Sequence, residues 1–467
     1  MTDPLTSRRY EVSGTAAGLI VAGLGLALAQ WALQVSDPDT LWHLVLGRRL
    51  ADTGQFVLPR EGLLTADYLY SQWLPELIAA RADDLWGLPG VAVLAHVCRA
   101  AVLAAVYLLA RRSTPPLVAA AITVVVTLAG LGAFTARPQL VGLLAMVVVV
   151  GGWRATATDG RARWWVAGVT LLWAASHGTW LIGAAVGAVT VAGLAARARF
   201  RDIPRGPLLV VAASTIVGFA MPPGPRWPEE LSALHAVAWF ADEWQPAPSS
   251  SVHLQAFLVL IVVVASLWVR CRHVDPLDAL TLGLGLLVGL TAYRGLAFAA
   301  VLVTPLIAPV ASRQPPPRAP RSERAALVAG LAATVLVAIV SAPHVARDPG
   351  RVPVQLTAAL RALPSGTVVV NDAAVGGWLL WAHPELIPVL DTRLQAYGPD
   401  HLRRAVAAYD AQPGWEEAIT SWHAGAALLM QRAPLTTALR TSLGWREAGR
   451  DAGYVLLTPP AGSPGGK

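Results

Sequence analysis

Long apolar runs recur along this chain and constrain its fold more than any other sequence feature. The first run, GTAAGLIVAGLGLALAQWALQV, covers residues 14–35 and contains no charged residue. A helix needs about 20 apolar residues to cross the hydrocarbon core of a bilayer. Only 14% of the residues are charged, whereas soluble domains contain about 25%. We therefore expect an α-helical membrane protein with several spanning helices.

Runs of this kind continue to residue 342 and predict about eleven transmembrane helices. They lie at residues 14–35, 88–110, 116–134, 139–153, 164–176, 180–196, 207–221, 253–269, 279–293, 295–311 and 325–342. The runs at 164–176 and 180–196, which the turn SHGT joins, are also compatible with broken or re-entrant helices.

Arginines between the apolar runs predict how the chain is oriented in the membrane. They are concentrated at residues 8–9, 111–112, 154–163, 197–205, 270–272 and 313–324, and they are fewer in the alternate segments. Basic residues accumulate on the cytoplasmic side of membrane proteins. We therefore expect a multi-pass protein of the inner (plasma) membrane with a cytoplasmic N-terminus and an extracytoplasmic C-terminus. The net charge of +7 is explained in this way, and no nucleic-acid partner is expected.

Two segments outside the apolar runs are long enough to carry function, and both lie on the predicted outer face. The first is the outer loop 36–87, which interrupts the predicted transmembrane domain 1–342. The second is the tail 343–467, where strand-like stretches such as TVVVND and AALLMQ alternate with helix-like stretches such as DHLRRAVAAYDA. This alternation predicts a small extracytoplasmic α/β domain with a largely parallel sheet.

The outer loop opens with SDPDTLWHL, residues 36–44, directly after the first apolar run. Asp37 and Asp39 are candidates for a general base or for ligands of a divalent cation such as Mg²⁺ or Mn²⁺. His43 follows Asp39 by one helical turn and lies on the same face. A structural interpretation competes with this one. Ser36 to Asp39 also match the N-cap of an interfacial helix, with Pro38 in its first turn.

Further polar and aromatic residues near the predicted outer face are candidates for substrate binding. They are Trp73, Glu76, Arg137, His177, Glu243 and Arg294. Aromatic and acidic residues together suit the stacking and hydroxyl contacts of a sugar. Arginine binds phosphate through paired hydrogen bonds, so an anionic lipid-phosphate substrate is expected at this face. Taken singly, each residue is more simply explained as a helix end or an interfacial anchor.

The tail has candidates of its own, because Asn371, Asp372 and Asp391 follow predicted strands. Open parallel sheets bind ligands at the carboxyl ends of their strands. The alternative is structural, with Asp391 paired to Arg393 or capping a helix.

These motifs together resemble a large set of bacterial polytopic membrane proteins. The first outer loop of that set reads roughly D-P-D-x-W-W-H-L-x-x-G, which DPDTLWHLVLG matches closely. The resemblance continues through RPQL, HGTWLIG, EWQPA and YRGLAF, and reaches the tail in NDAAVGGWLLW and DTRLQAYG. It therefore covers most of the chain. The D-x-F-S segment of the set is replaced here by REGLLTAD, and its H-E before W-L by Ser71-Gln72.

The set looks similar to the GT-C class of membrane glycosyltransferases, which use polyprenyl-phosphate sugars. The resemblance implies transfer of a sugar from a lipid-phosphate donor to an acceptor on the outer face. It also implies that Asp37 or Asp39 is the catalytic or metal-binding acid of the first outer loop. A non-catalytic protein that binds a glycan or lipid, or acts as a scaffold, remains the alternative. A transporter is less favoured, because transporters carry ionisable residues within their spans and the apolar runs here are almost free of them. Arg99 is the clearest exception.

Overall fold

The computed structural model describes residues 4–272, 274–307 and 319–460, with side chains from residue 11 onward. Its α-helices are α1 (Pro4–Ala32), α2 (Pro38–Thr53), α3 (Trp73–Trp86), α4 (Leu88–Arg111), α5 (Pro116–Ala129), α6 (Gln139–Asp159), α7 (Trp165–Ala174), α8 (Trp180–Arg197), α9 (Arg205–Phe219), α10 (Trp227–Val237), α11 (Val252–Cys271), α12 (Pro276–Thr291), α13 (Leu296–Val303), α14 (Arg321–Val345), α15 (Thr357–Arg361), α16 (Ala373–Ala382), α17 (Leu394–Tyr409), α18 (Trp415–Ser421) and α19 (Pro434–Ser442). Its strands are β1 (Val57–Leu58), β2 (Tyr68–Leu69), β3 (Val368–Asn371), β4 (Ile387–Pro388), β5 (Ala424–Met430), β6 (Arg446–Asp451) and β7 (Tyr454–Thr458).

Internal contacts divide the chain into two compact units, and each unit draws on separate stretches of sequence. Unit 1 comprises Met1–Leu33, Pro89–Gly224 and Ala241–Val345. Unit 2 comprises Gln34–Leu88, Pro225–Phe240 and Ala346–Lys467. The first outer loop and the tail therefore fold together in unit 2, and helix α10 belongs to the same unit.

The helices of a membrane protein dominate the described part of the chain. Six helical segments there are long and apolar enough to cross a bilayer, namely Glu11–Ala32, Leu88–Arg111, Gln139–Asp159, Trp180–Arg197, Val252–Cys271 and Arg321–Val345. The number becomes seven if the bent pair Arg205–Phe219 and Gly224–Phe240 is one span. Shorter apolar helices include Pro116–Ala129, Trp165–Ala174 and Pro276–Thr291. The sequence-based count of about eleven includes such shorter segments and stays a prediction.

Within unit 1, the first and last long helices pack closely along small residues. A Cβ placed on Gly18 of α1 would lie 2.8 Å from the backbone nitrogen of Leu327 in α14. At the end of α4, the Nε of Arg111 donates to Glu323 of α14 at 2.8 Å, and the Tyr107 hydroxyl donates to the same carboxylate. Apolar packing and a buried ion pair therefore both join α14 to the other helices of unit 1.

Unit 2 contains a five-stranded sheet in the order β4-β3-β5-β7-β6. Strand β3 runs parallel to β4 and β5, whereas β7 runs antiparallel to β5 and β6. The predicted α/β tail is confirmed, but its sheet is mixed and not largely parallel. Strand β6 could not be recognised in the sequence, because REAGRD is mostly exposed and polar. Charged residues of this kind are common on edge strands, where they discourage pairing with other chains.

Two glycines of α16 determine how unit 2 closes around the start of α2. A Cβ on Gly376 would lie 2.1 Å from the carbonyl oxygen of Leu390, and a Cβ on Gly377 would lie 2.6 Å from that of Pro38. Neither position has room for a side chain. Gly376 therefore lets α16 pack against the Leu390–Asp391 segment of the tail, and Gly377 lets it pack against the DPD turn of the outer loop.

Candidate functional site

The SDPDT turn places Asp37 and Asp39 at the N-terminus of α2. The carboxylate of Asp37 accepts a hydrogen bond from the backbone N–H of Asp39 at 3.0 Å, and Pro38 is the first helical residue. This is the N-cap arrangement that the structural interpretation predicted. Both carboxylate residues are only partly buried. Capping therefore explains the local fold of the turn and leaves both residues partly exposed to solvent.

Asp39 is also bound by the tail, through a residue that the sequence analysis did not single out. The hydroxyl of Thr392 donates to the Oδ1 of Asp39, and the indole N–H of Trp42 lies 3.4 Å from the same oxygen. Trp42 also donates to the Thr392 hydroxyl at 2.8 Å. Thr392 belongs to the DTRLQAYG segment that carries the family resemblance. Its position in that segment was the one sequence feature that could have marked it as a candidate.

Behind this turn lies a buried pair formed by His43 and Glu76. The Nδ1 of His43 is 2.8 Å from the Oε1 of Glu76, and the two residues are 4% and 0% exposed. The rings of His43 and Trp42 lie 3.6 Å apart. Trp73 packs edge-on against Phe56, with ring centroids 5.6 Å apart. The structure thus brings His43 and Glu76 together, while their predicted contact with a substrate stays a prediction.

The acidic candidates of the tail have structural partners. The guanidinium of Arg393 makes a two-pronged ion pair with Asp391, at 3.0 and 2.6 Å, and the Tyr397 hydroxyl donates to Asp391 at 2.8 Å. Burial alone raises the pKa of Asp391, but the charge and hydrogen bonds of Arg393 keep that pKa below its ordinary value. Asp372 caps α16 through the N–H of Ala374 at 2.9 Å. The structural alternative for Asp391 is therefore confirmed.

In unit 1, four predicted residues come together in one cluster, Arg137, His177, Glu243 and Arg294, here called the arginine–glutamate cluster. The Nη1 of Arg137 donates to one oxygen of Glu243 at 2.9 Å, and the Nη1 of Arg294 donates to the other at 3.2 Å. The Nη2 of Arg294 lies 3.5 Å from the Nε2 of His177. The residues come from four separate segments between the predicted apolar runs, and the structure brings them together. That they lie on the outer face stays a prediction.

The arginine–glutamate cluster is positively charged and reachable by solvent. Two guanidinium groups share a single carboxylate, and the side chains of both arginines are 19% exposed. The guanidinium of Arg294 also lies over the ring of Trp244, 4.5 Å from its centroid, which fixes its plane. A cavity of about 30 Å³ adjoins Glu243, Tyr293 and Arg294, which is enough for a water molecule or one ligand oxygen. The arrangement can therefore bind an oxyanion.

The residues that the structure describes contain no group of three or more His, Cys, Asp or Glu side chains arranged to hold a metal ion. Asp37 and Asp39 contribute two carboxylates, each with at least one oxygen already hydrogen-bonded within the protein. These two residues do not make a protein-built cation site by themselves. Binding of Mg²⁺ or Mn²⁺ there stays a prediction.

Comparisons with known proteins identify similar solved structures, although no family model and no curated protein matches the sequence. The archaeal oligosaccharyltransferase AglB from Archaeoglobus fulgidus, in complex with an inhibitory peptide and a dolichol-phosphate, has a TM-score of 0.57 at 10% identity, covering 91% of this chain and 70% of that chain. ArnT from Cupriavidus metallidurans in the apo state has a TM-score of 0.53 at 16% identity, covering 97% and 98%. The same protein bound to undecaprenyl phosphate gives 0.51 at 14% identity, with the same coverage. Both proteins are GT-C glycosyltransferases, so this chain has the fold of that class of membrane enzymes.

Proposed function

We propose that this protein transfers a sugar from a polyprenyl-phosphate donor to an acceptor hydroxyl on the outer face of the membrane. The observation that carries the proposal is the convergence of Arg137 and Arg294 on Glu243, in a chain whose structural neighbours bind dolichol-phosphate and undecaprenyl phosphate. The fold by itself is weak support for a particular reaction. The chemistry of these side chains therefore has to support the proposed reaction.

The arginine–glutamate cluster is suited to the phosphate of a lipid donor. Glu243 bridges the two guanidinium groups with one oxygen to each, and a phosphate oxyanion bridges arginines in the same way. The charge balance of two arginines against one glutamate leaves the cluster attractive to an anion. When the bond from the sugar to the phosphate breaks, the leaving group gains negative charge, which these arginines would stabilise.

Asp37 or Asp39 is proposed as the general base. A carboxylate would accept the proton of the acceptor hydroxyl while its oxygen forms a new bond to the anomeric carbon. The bond from that carbon to the donor phosphate breaks, its electron pair leaves with the polyprenyl phosphate, and the sugar configuration is inverted. Thr392 and Trp42 orient the carboxylate of Asp39, and the His43–Glu76 pair supports the turn from inside the fold. Trp73 is proposed to contact the sugar.

The proposed topology has about eleven spans, a cytoplasmic N-terminus and an extracytoplasmic tail. The arginine distribution along the sequence supports this orientation. If Mg²⁺ or Mn²⁺ is bound, Asp37 and Asp39 would hold it, and water molecules would fill further coordination positions, as is common for Mg²⁺. No step of the proposed mechanism passes through the metal, and activity in EDTA tests the requirement directly.

Binding of the donor lipid tests the proposed role of the cluster. Undecaprenyl phosphate should raise the thermal unfolding midpoint of the full-length protein in detergent, because a ligand that binds the folded state stabilises it. Undecaprenol, which has no phosphate, should not. Arg294→Gln should weaken the affinity for the phosphate lipid about tenfold. The control is Arg60→Gln, at an exposed arginine of the outer loop. Equal stabilisation by both lipids would contradict a phosphate site.

A non-catalytic role in binding a lipid or glycan is the second candidate, and specific contacts favour it. Asp37 caps α2, Asp39 is hydrogen-bonded to Thr392, and Glu76 is buried against His43. A purely structural protein needs no further role for these residues. The two functions differ in one result, because a carrier or scaffold would bind the phosphate lipid without transferring sugar from it.

A further inference from the structure

A second charged cavity lies in unit 1, at the end of α6 away from the arginine–glutamate cluster. Helix α6 begins at Gln139, which lines the cavity beside that cluster, and ends at Asp159, which lines the second cavity. The 21 residues of α6 separate the two cavities by about 30 Å at 1.5 Å per residue. The second cavity has a volume of about 570 Å³, within the range of small-molecule sites. The two cavities therefore lie at opposite ends of one long apolar helix.

Four arginines from separate segments line this cavity, and we call it the arginine cavity. They are Arg112 after α4, Arg154 in α6, Arg163 before α7 and Arg197 at the end of α8. The carboxylates that line it belong to Asp159 and Asp278, so the positive charges outnumber the negative ones. Leucine, proline and alanine side chains, together with Ser113 and Thr158, complete the wall, which gives a partly apolar surface beside a cationic one.

Three of these guanidinium groups are held in place by acidic partners. Arg154 donates to Asp278 at 2.6 Å, and Arg163 binds both oxygens of Asp159 at 2.9 Å. Arg197 donates to both oxygens of Asp275 at 2.9 Å. These pairs fix the side chains in position and reduce, but do not cancel, the charge of the cavity.

Arg112 differs from the other three arginines. Its Nη1 donates to the neutral carbonyl oxygen of Gly151 at 2.9 Å, and within the described ranges it forms no ion pair with a carboxylate. The residue is exposed, so its charge is available to a ligand that enters from solvent or from the lipid head groups. An exposed guanidinium that is bound to a carbonyl oxygen and not to a carboxylate is well suited to bind phosphate.

Two neighbouring tryptophans place the arginine cavity at the level of the lipid head groups. Trp164 and Trp165 follow Arg163 directly and are 56% and 49% exposed. Tryptophans concentrate at the membrane–water interface, because their rings are apolar and their N–H groups are polar. The apolar helix Leu88–Arg111 also ends immediately before Arg112. A ligand in this cavity would therefore be in contact with the bilayer surface.

We propose that the arginine cavity binds the phosphate head group of an anionic membrane phospholipid. Arg112 would bind the phosphate, the three paired arginines would provide the surrounding positive field, and the apolar wall would contact the glycerol and the start of the acyl chains. Basic pockets between transmembrane helices bind anionic lipid head groups in this way. The site is separate from the proposed donor site, and it lies on the face that the arginine distribution predicts to be cytoplasmic.

Native mass spectrometry of the full-length protein in detergent tests the proposal. The protein is titrated with dioleoyl phosphatidylglycerol, with zwitterionic dioleoyl phosphatidylcholine, and with inorganic phosphate. We expect phosphatidylglycerol to bind at least tenfold more tightly than phosphatidylcholine and to be displaced as ionic strength rises. Arg112→Gln should weaken phosphatidylglycerol binding by about tenfold, and Arg112→Lys, which keeps the charge, should weaken it less.

The matched control is Arg201→Gln, because Arg201 is exposed in the segment between α8 and α9 and does not line the cavity. It should bind phosphatidylglycerol as the parent does. Equal losses in the Arg112→Gln and Arg201→Gln variants would show a diffuse surface effect and overturn the proposal. Displacement of phosphatidylglycerol by inorganic phosphate at equal concentration would overturn the lipid assignment in favour of a free-anion site.

Discussion

At the scale of single residues, the main finding is that the acidic residues of the outer loop are embedded in hydrogen bonds. Asp37 caps α2, and Asp39 accepts hydrogen bonds from Thr392 and Trp42. The cap was one of the two interpretations that the sequence supported, because Ser-Asp-Pro-Asp is a local pattern with a local physical cause. The sequence did not predict Thr392 as the partner of Asp39, since a contact across more than three hundred residues has no local pattern.

The cap of α2 can be tested by stability. Asp37→Ala should lower the free energy of unfolding by about 1 kcal/mol, whereas Asp37→Asn should change it little, because asparagine caps a helix about as well as aspartate. Thermal unfolding of the full-length protein in detergent measures both. Asp52→Ala, at an exposed position of the same helix, is the control and should shift stability by no more than about 0.5 kcal/mol. A similar loss in both Asp37 variants would show that the charge, and not the cap, stabilises the turn.

A second residue-scale prediction concerns His401 and pH. Burial lowers the pKa of His401 below its ordinary value, while its hydrogen bond to the Val389 carbonyl oxygen at 2.9 Å partly opposes this shift. As pH falls below about 6.5, the unfolded chain therefore takes up a proton before the folded one does, and stability decreases.

The measurement is the unfolding midpoint of the full-length protein between about pH 7.5 and about pH 5.5. His401→Gln keeps a side-chain N–H for Val389 and cannot titrate, so it should show a smaller drop than the parent. Part of the drop should remain in the variant, because His383 is still present and its pKa is also lowered by burial. An identical drop in parent and variant would mean that His401 does not contribute.

At the scale of elements, the pattern of apolar runs and of alternating strands and helices predicted most of what the structure shows. Strands β3 and β5 and helix α17 lie at the stretches TVVVND, AALLMQ and DHLRRAVAAYDA that the tail sequence indicates. Strand β6 was missed because its residues are polar and exposed on a sheet edge. Helix α10 was missed because its sequence, WPEELSALHAV, is shorter and more polar than a spanning helix. Its packing on α17 depends on tertiary structure alone.

The close approach of α16 to the DPD turn gives an element-scale prediction. Gly377→Ala places a methyl group 2.6 Å from the Pro38 carbonyl oxygen, so the helix or the turn must shift. We expect the free energy of unfolding to fall by about 1–3 kcal/mol. The hydrogen bonds that Asp39 accepts in the shifted turn should also weaken. Gly366→Ala is unsuitable as a control because Gly366 has a positive φ. Ala374→Ser, one helical turn before Gly377 in α16, serves as the control instead. Parent-like stability in Gly377→Ala would contradict the packing described here.

At the scale of the whole molecule, composition and motifs together indicated the fold class, which the structural neighbours confirm. The sequence could not indicate that the outer loop and the tail belong to one compact unit, because their contacts join segments far apart in the chain.

The orientation in the membrane stays a prediction. An enzyme reporter fused to the C-terminus and active only outside the cytoplasm should be active. Activity of a reporter that works only in the cytoplasm would contradict the odd number of spans.

Sugar transfer by carboxylate variants tests the central claim most directly. Purified protein is offered radiolabelled polyprenyl-phosphate sugars and a membrane-derived acceptor, and transfer is compared among the parent, Asp37→Asn, Asp39→Asn and the control Asp52→Asn. Asparagine preserves the shape of the turn and removes the base, so we predict a loss on the order of 100-fold or more in at least one of the first two variants. The control should match the parent. If the parent transfers sugar and both Asp37→Asn and Asp39→Asn retain full activity, the acidic turn is structural and the proposed base is wrong.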